Sequence, residues 1–226
     1  MIFMKTVALI SGGKDSIYAI YKAKQDGHDI TYVATIHSKN PDSYMYHTPN
    51  VGLTLMQSRA MGIQLVSKES QGIKEEEVKD LEILLSNLGV EGVVCGAIAS
   101  KYQKERVENV CKNLGLKLIA PLWDRKPEEL LREMVENGFE IIITAVAADG
   151  FDESWLGRKI DEECINDLLK MEKKSGISIV GEGGEFETVV VNCPLFSRKL
   201  EITKAEKIWK DNSGLYEIKD AKFVDK

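Results

Sequence analysis

Thr6-Val7-Ala8-Leu9-Ile10-Ser11-Gly12-Gly13-Lys14-Asp15-Ser16 decides the fold. Thr6–Ile10 (TVALI) is a short apolar, partly β-branched run without polar alternation, the pattern of a strand buried on both faces of a parallel sheet. It ends at Ser-Gly-Gly, a turn signal. Asp15–Gln25 follows with Ile17, Ile20, Tyr21 and Lys24 at helical spacing, and Gly27 stands where a glycine ends a helix. Ile30–Ile36 (ITYVATI) reads as a second strand. Strand, loop, helix and strand make the seed of a parallel sheet.

The alternation continues outward from that seed. Thr48-Pro49 reads as an N-cap followed by proline at the first helical position, opening a helix to about Met61. Ile63–Ser67 is a strand, and Lys74–Leu88 a helix with Val78, Leu81, Leu84, Leu85 and Leu88 on one face. Gly92–Cys95 is a strand, Ser100–Leu114 a helix and Leu116–Ala120 a strand, after which Pro121-Leu122-Trp123 breaks the pattern. This predicts an α/β domain over residues 1–123, a doubly wound parallel sheet of five strands. Beyond it come a helix at Pro127–Asn137, a β-branched strand at Glu140–Val146, a loop at Asp149–Lys159 and a helix at Glu162–Lys174. Short strands are expected at Ile177–Val180, Glu187–Val191, Leu200–Thr203, Glu206–Trp209 and Tyr216–Phe223. Residues 124–226 therefore read as a second, smaller α+β domain.

The 226 residues are 43% hydrophobic and 29% charged, the mix of an ordinary globular protein. Cys95, Cys111, Cys164 and Cys193 make no C-x-x-C pair, so neither zinc nor redox spacing is present and buried free thiols are expected. The net charge of −6 argues against an RNA substrate, because phosphate contacts favour a basic surface. The N-terminal apolar run is too short for a membrane span and lacks a signal-peptide layout, so a cytoplasmic protein is expected.

Chemistry concentrates at Ser11–Ser16. A helix N-terminus presents unpaired N–H groups and a partial positive charge, which makes it a phosphate seat. Adjacent glycines let the backbone come close to phosphate oxygens. Ser11 and Ser16 can donate hydroxyl hydrogen bonds, Lys14 can neutralise phosphate charge, and Asp15 can orient the loop or help hold Mg²⁺. The spacing fits neither G-x-x-x-x-G-K-[ST] nor G-x-G-x-x-G. SGGKDS after a first parallel strand resembles the loop of the N-type ATP pyrophosphatases, the group of asparagine, GMP, NAD and argininosuccinate synthetases and of tRNA-lysidine synthetase. That resemblance implies an adenine nucleotide alpha hydrolase-like domain that splits ATP to AMP and pyrophosphate.

Further stretches resemble one family, the diphthine–ammonia ligases. They are Ser43–Asn50 (SYMYHTPN), Gly96–Val110 (GAIASKYQKERVENV), Pro121–Trp123 (PLW) and Gly181–Thr188 (GEGGEFET). With the loop they span both domains; the loop alone marks only the superfamily. The resemblance implies ATP- and ammonium-dependent amidation of diphthine, a modified histidine of translation elongation factor 2, through an acyl-adenylate. It makes elongation factor 2 and ammonium the partners, and ATP with Mg²⁺ the cofactors. Free ammonium is the simpler nitrogen source, since neither a glutaminase domain nor an N-terminal cysteine nucleophile is read here. The C-terminal domains of the larger eukaryotic relatives are expected to be absent.

Site expectations follow. Ser11, Gly12, Gly13, Lys14, Asp15 and Ser16 would bind the nucleotide, with Asp15 the metal contact. Gly96, Ala97 and Ile98 lie at the carboxyl edge of a strand, where open parallel sheets bind ligands, and would take the ribose or adenine. Ala34 and Ile36 end the second strand and would flank adenine; ordinary core is the alternative. Lys14, Asp15, Arg106, Glu185 and Glu187 are the catalytic candidates. Arg106 would meet the α-phosphate or the substrate carboxylate, or else pair with Glu105 or Glu108 on the surface. Substrate contacts are expected from His47, Tyr102, Gln103, Glu182, Gly183, Gly184, Phe186 and Thr188. Clustered glutamates can bind ammonium or accept its proton, and aromatic faces at Phe186, Trp155 or Tyr46 suit a trimethylammonium group. The bland alternative for residues 181–188 is a glycine turn into a strand. Two other functions compete: a tRNA-modifying ATP pyrophosphatase, disfavoured by acidity and cysteine spacing, and a non-catalytic ATP sensor. Assembly into a homo-oligomer is left open.

Overall fold

The computed structural model describes residues 4–38, 52–71 and 76–226 and divides into two compact units, Met1–Trp123 and Asp124–Lys226. Unit 1 holds five strands: β1 (Lys5–Leu9), β2 (Asp29–Ser38), β3 (Gln64–Ser70), β4 (Gly92–Val94) and β5 (Lys117–Ile119). All pair in parallel, in the order β3-β2-β1-β4-β5. The register sets Val7 between Tyr32 and Val93. Between the strands run α1 (Lys14–Gln25), α2 (Leu53–Met61), α3 (Glu76–Leu85) and α4 (Lys101–Leu114). The α/β expectation holds, because fully buried strands of a parallel sheet carry apolar runs on both faces.

Strand alternation sorts the core into layers. Val7, Ala34, Ile36, Val93 and Cys95 face one side and pack with Leu81 and Leu85 of α3 and Val107, Val110 and Cys111 of α4. Helix α1 packs on β1, β2 and β4 and buries Ile17, Tyr18, Ala19, Ile20 and Ala23. Gly27 follows its last turn at φ 86° and donates to the Lys24 carbonyl, the glycine stop read from the sequence. Ser100 caps α4, its hydroxyl accepting from the Gln103 amide. The start of the helix read from Pro49, and Lys74 in the next one, lie outside the described residues.

Unit 2 holds α5 (Pro127–Glu136), β6 (Glu140–Val146), α6 (Glu162–Ser175), β7 (Phe186–Asn192), β8 (Lys199–Lys210) and β9 (Ser213–Val224). The strands form an antiparallel sheet in the order β7-β6-β9-β8. Pro127 opens α5, and the Asp161 carboxylate caps α6 by accepting from the Cys164 amide.

The structure corrects two expectations. Ile177–Val180 is not a strand; it leads into a turn after Gly176, and its β-branched side chains are buried outside any strand. Leu200–Thr203 and Glu206–Trp209 are one strand, β8, with register shifts around Lys204. A bulge bends a ladder without ending it. The loop at residues 149–159 contains a 3-10 turn, Glu153–Trp155, capped by Asp152.

All four cysteines are free and buried, as expected. Burial raises each thiol, Cys111 to about 12 and Cys164 and Cys193 to about 11. These thiols stay protonated and inert at neutral pH. Among the described residues no helix is long and apolar enough to cross a membrane.

Candidate nucleotide site and acidic loop

The strand order reverses at β1, since β2 and β3 lie to one side and β4 and β5 to the other. Open α/β sheets bind ligands outside the carboxyl ends of the strands at such a reversal. Residues 11–16 leave β1 there, and residues 96–98 leave β4 beside them. Gly96 gives the proof of contact. A Cβ built on it would lie 2.8 Å from the Asp15 carbonyl carbon and oxygen and from the Ser16 nitrogen. Only glycine lets the two segments come that close.

The loop is held by its own hydroxyls. Ser16 Oγ accepts from the Ser11 amide at 3.2 Å and donates to the Gly13 carbonyl at 3.0 Å. Ser11 Oγ reaches Ser16 Oγ at 3.2 Å and accepts from the Gly13 amide at 3.4 Å. Gly12 sits at φ 88°, and its carbonyl accepts from Gln57 Nε2 of α2 at 2.9 Å. Gly13 is the N-cap of α1 and places no side chain over the first-turn amides. An uncapped helix start with small residues before it is suited to an anion.

Lys14 begins α1 with its side chain only 3% exposed, and its Nζ lies 2.8 Å from Asp15 Oδ2. A buried ammonium beside the helix start adds positive charge where the helix dipole is already positive. Among the described residues no group of three or more His, Cys, Asp or Glu side chains gathers to hold a metal. Asp15 is the carboxylate of residues 11–16, and a cation held at this loop would share it with phosphate oxygens and water. That is how Mg²⁺ is commonly held beside a nucleotide.

Several sequence candidates belong to the core. The side chains of Ala34, Ile36 and Ala97 join the cluster against α3 and α4, and Ile98 is also buried. Small apolar residues at strand ends have the same composition whether they line a ligand or fill a core, so the sequence did not separate the two. On α4, the Arg106 guanidinium lies 3.4 Å from the Tyr102 ring centroid and its Nη1 reaches the Tyr102 carbonyl at 3.5 Å. The stacking on Tyr102, one helical turn back, is an arrangement that the spacing alone did not suggest. Gln103 takes part in the α4 cap through its amide. His47 and Tyr46 lie outside the described residues.

In unit 2, residues 181–185 are a glycine turn into β7. Glu185, read as catalytic, braces that turn. Its Oε1 accepts from the Ser178 amide and its Oε2 from the Gly183 amide, both at 2.8 Å, while its carbonyl accepts from the Ala147 amide. Two N–H donors on one carboxylate are strong, charge-assisted bonds. Glu185→Gln is expected to lower stability by about 1–3 kcal/mol, because an amide nitrogen then faces one of those donors. Thermal unfolding measures it; lost turnover at an unchanged midpoint would return Glu185 to the chemistry.

Phe186 also differs from expectation. Its ring is 3% exposed and packs 6.0 Å from Phe151, which meets Trp155 edge-on at 5.0 Å. Arg158 covers the Trp155 ring at 4.6 Å. These rings form an internal cluster under the turn and offer no open face to a ligand cation. Glu187 and Thr188 lie on β7 opposite Ala145 and Ile143 and are partly exposed, as is Glu182; Gly183 and Gly184 are exposed.

Comparison with known proteins follows the same division. Residues 4–118 match the model of the diphthamide synthase N-terminal domain, and residues 126–224 that of the C-terminal domain. The diphthine–ammonia ligase of Rattus norvegicus is 39% identical over 228 residues, covering 91% of this chain and 85% of that one. The diphthine–ammonia ligase of Homo sapiens is 38% identical over 226 residues, covering 90% and 84%. A solved chain described as a predicted subunit of tRNA methyltransferase from Methanocaldococcus jannaschii aligns at a TM-score of 0.45 and 16% identity, over 85% of this chain and 98% of that one. That last agreement carries no functional weight.

Proposed function

The chain belongs to the diphthine–ammonia ligase family and is a C–N-bond-forming ligase, and we propose that it amidates the diphthine carboxylate of elongation factor 2 with ammonium and ATP. The observation that carries the nucleotide half of this reading is the approach of Gly96 to the backbone of Asp15 and Ser16 beside an uncapped helix start.

In this reading unit 1 binds ATP. The Gly12 and Gly13 backbone, the Ser11 and Ser16 hydroxyls and the first amides of α1 hold the β- and γ-phosphates. Lys14 would turn from Asp15 to the phosphates, and Asp15 would then be free to hold Mg²⁺, which would supply charge neutralisation. Gly96, Ala97, Ile98, Ala34 and Ile36 contribute main-chain surface to the nucleoside, because their side chains face the core or are absent. Arg106, held on Tyr102, offers its charge to the α-phosphate or the carboxylate, and Tyr102 and Gln103 flank the substrate.

The chemistry runs in two steps. A diphthine carboxylate oxygen attacks the α-phosphorus; the new acyl–phosphate bond forms as the α–β bridge breaks and pyrophosphate leaves with the charge. Ammonia nitrogen then attacks the acyl carbon, AMP leaves, and the nitrogen gives up a proton. The helix start and Lys14 stabilise the charge developing on pyrophosphate. Unit 2 is assigned the diphthine end. Its exposed carboxylates, Glu182 and Glu187, attract the trimethylammonium group or accept the ammonium proton, and Gly183, Gly184 and Thr188 shape the turn around them. Glu185 acts through that turn. The reading places the enzyme in the cytoplasm with its translation-factor substrate.

The test is release of AMP and pyrophosphate from ATP, Mg²⁺ and ammonium, with and without diphthine-bearing elongation factor 2. Release is expected only with both ammonium and the factor, with conversion of acid to amide read by mass. Bound ATP without release under those conditions overturns the ligase reading in favour of a nucleotide sensor. Release dependent on tRNA instead would assign a different acceptor.

A further inference from the structure

We infer that Gln57, on α2, is the positioning residue that holds the phosphate loop in its anion-binding conformation. The inference rests on the ATP reading above and concerns a residue outside the SGGKDS motif.

An anion seat made of main chain works only if its amides face the anion and its carbonyls face away. The C=O and N–H of a trans peptide point in opposite directions, so fixing one fixes the other. Glycines at 12 and 13 leave this peptide free to rotate, since glycine adopts both signs of φ with little cost. Within the loop the N–H of this peptide meets Ser11 Oγ only at a long 3.4 Å, so a partner outside the loop is needed to hold the orientation firmly.

Gln57 is placed to do so. Its side chain is fully buried, and Nε2 donates to the Gly12 carbonyl at 2.9 Å across 45 residues of sequence. That bond pulls the Gly12 oxygen toward α2 and leaves the Gly13 amide on the opposite side of the peptide, where it lies 3.4 Å from Ser11 Oγ. The same side chain closes the space behind the loop. A Cβ on Gly12 would lie 2.9 Å from Gln57 Oε1 and 3.5 Å from Thr54 Cγ2. Thr54 and Ser58, on the same helix, are also buried. Rotating the peptide would break the Gln57 bond and turn a carbonyl dipole toward the phosphates.

Chemistry distinguishes this role from plain packing. Methionine at 57 keeps the bulk and loses the donor. Glutamate keeps the shape, cannot donate when ionised, and brings negative charge behind the phosphates. A packing role would affect every nucleotide alike. A loop-orienting role affects only ligands that carry the β- and γ-phosphates.

The experiment is calorimetric titration of the full chain and of the Gln57→Met and Gln57→Glu variants with ATP and with AMP, with thermal unfolding as a check on folding. Gln57→Met is expected to lower the ratio of ATP to AMP affinity about tenfold, the effect of one lost main-chain hydrogen bond. Gln57→Glu is expected to lower it further, and the Gln57→Met result stands alone if the buried carboxylate prevents folding. Equal losses for both nucleotides, or an unchanged ratio, would overturn the inference. A wild-type chain that does not prefer ATP to AMP would instead overturn the ATP reading, and this inference with it.

Discussion

Gly96→Ala is expected to lower pyrophosphate release by up to about 100-fold, with weakened ATP binding. The methyl group would have to occupy space 2.8 Å from three main-chain atoms of Asp15 and Ser16. Main chain at a helix start cannot step aside as a flexible side chain would, so β4 and the loop must separate. Overpacking of this kind costs about 1–3 kcal/mol in a folded protein. A barrier raised by about 3 kcal/mol corresponds to roughly two orders of magnitude in rate. Steady-state pyrophosphate assay and circular dichroism together check the prediction. Gly52→Ala is the control: among the described residues nothing lies within 4 Å of the place its Cβ would take, and its φ of −54° suits any residue. It is expected to leave turnover unchanged.

Lys14→Met is expected to separate activity from stability. Turnover should fall about 10²–10³-fold, the range seen when one group that stabilises developing negative charge is removed. The unfolding temperature should fall by only a few degrees. Removing one partner of an ion pair costs about 3–5 kcal/mol when the charge left behind is fully buried, and less when water can reach it. Asp15, the partner left behind, is 29% exposed and can be hydrated. A fall in melting temperature matching the fall in turnover would make Lys14 a structural residue and remove it from the phosphate site.

The strands and helices of unit 1 were legible because each carries one clear pattern. Buried parallel strands such as β1 are apolar runs, and helices such as α4 repeat their apolar positions about every third or fourth residue. Residues 11–16 stood out because few segments need two glycines, a lysine and flanking serines at a strand-to-helix turn. Unit 2 was harder to read. Strand β8 faces water along much of its length, so Lys204 and Ala205 looked like a break where the ladder only bulges. Residues 177–180 misled in the opposite way: their β-branched, apolar composition serves burial beside a turn.

The site itself divides along the same line. Gly96 was read from its place after a strand as room for a ribose or adenine, whereas its approach to the Asp15 and Ser16 backbone was not read. Gln57 gave no signal, because its bond to Gly12 exists only after α2 has packed against the loop. Glu185 was visible as a carboxylate, yet its commitment to two backbone amides was not, since Ser178 lies seven residues away in an irregular turn. For Ala34 and Ile36 the sequence left core and ligand contact as alternatives, and the side chains turned out to be core, as did that of Ala97.

The central place of β1 in the sheet has a consequence for synthesis. Of the five strands of unit 1, the one made first is the one that needs neighbours on both edges, and these arrive at very different times. Val7 can meet Tyr32 early, but its other partner, Val93, is added only after α2, β3 and α3 have followed. Gly96 comes directly behind. A nascent chain thus carries the whole SGGKDS motif long before it has the wall against which that motif closes, and on the proposed ATP reading it is expected to capture nucleotide only after most of unit 1 has been made.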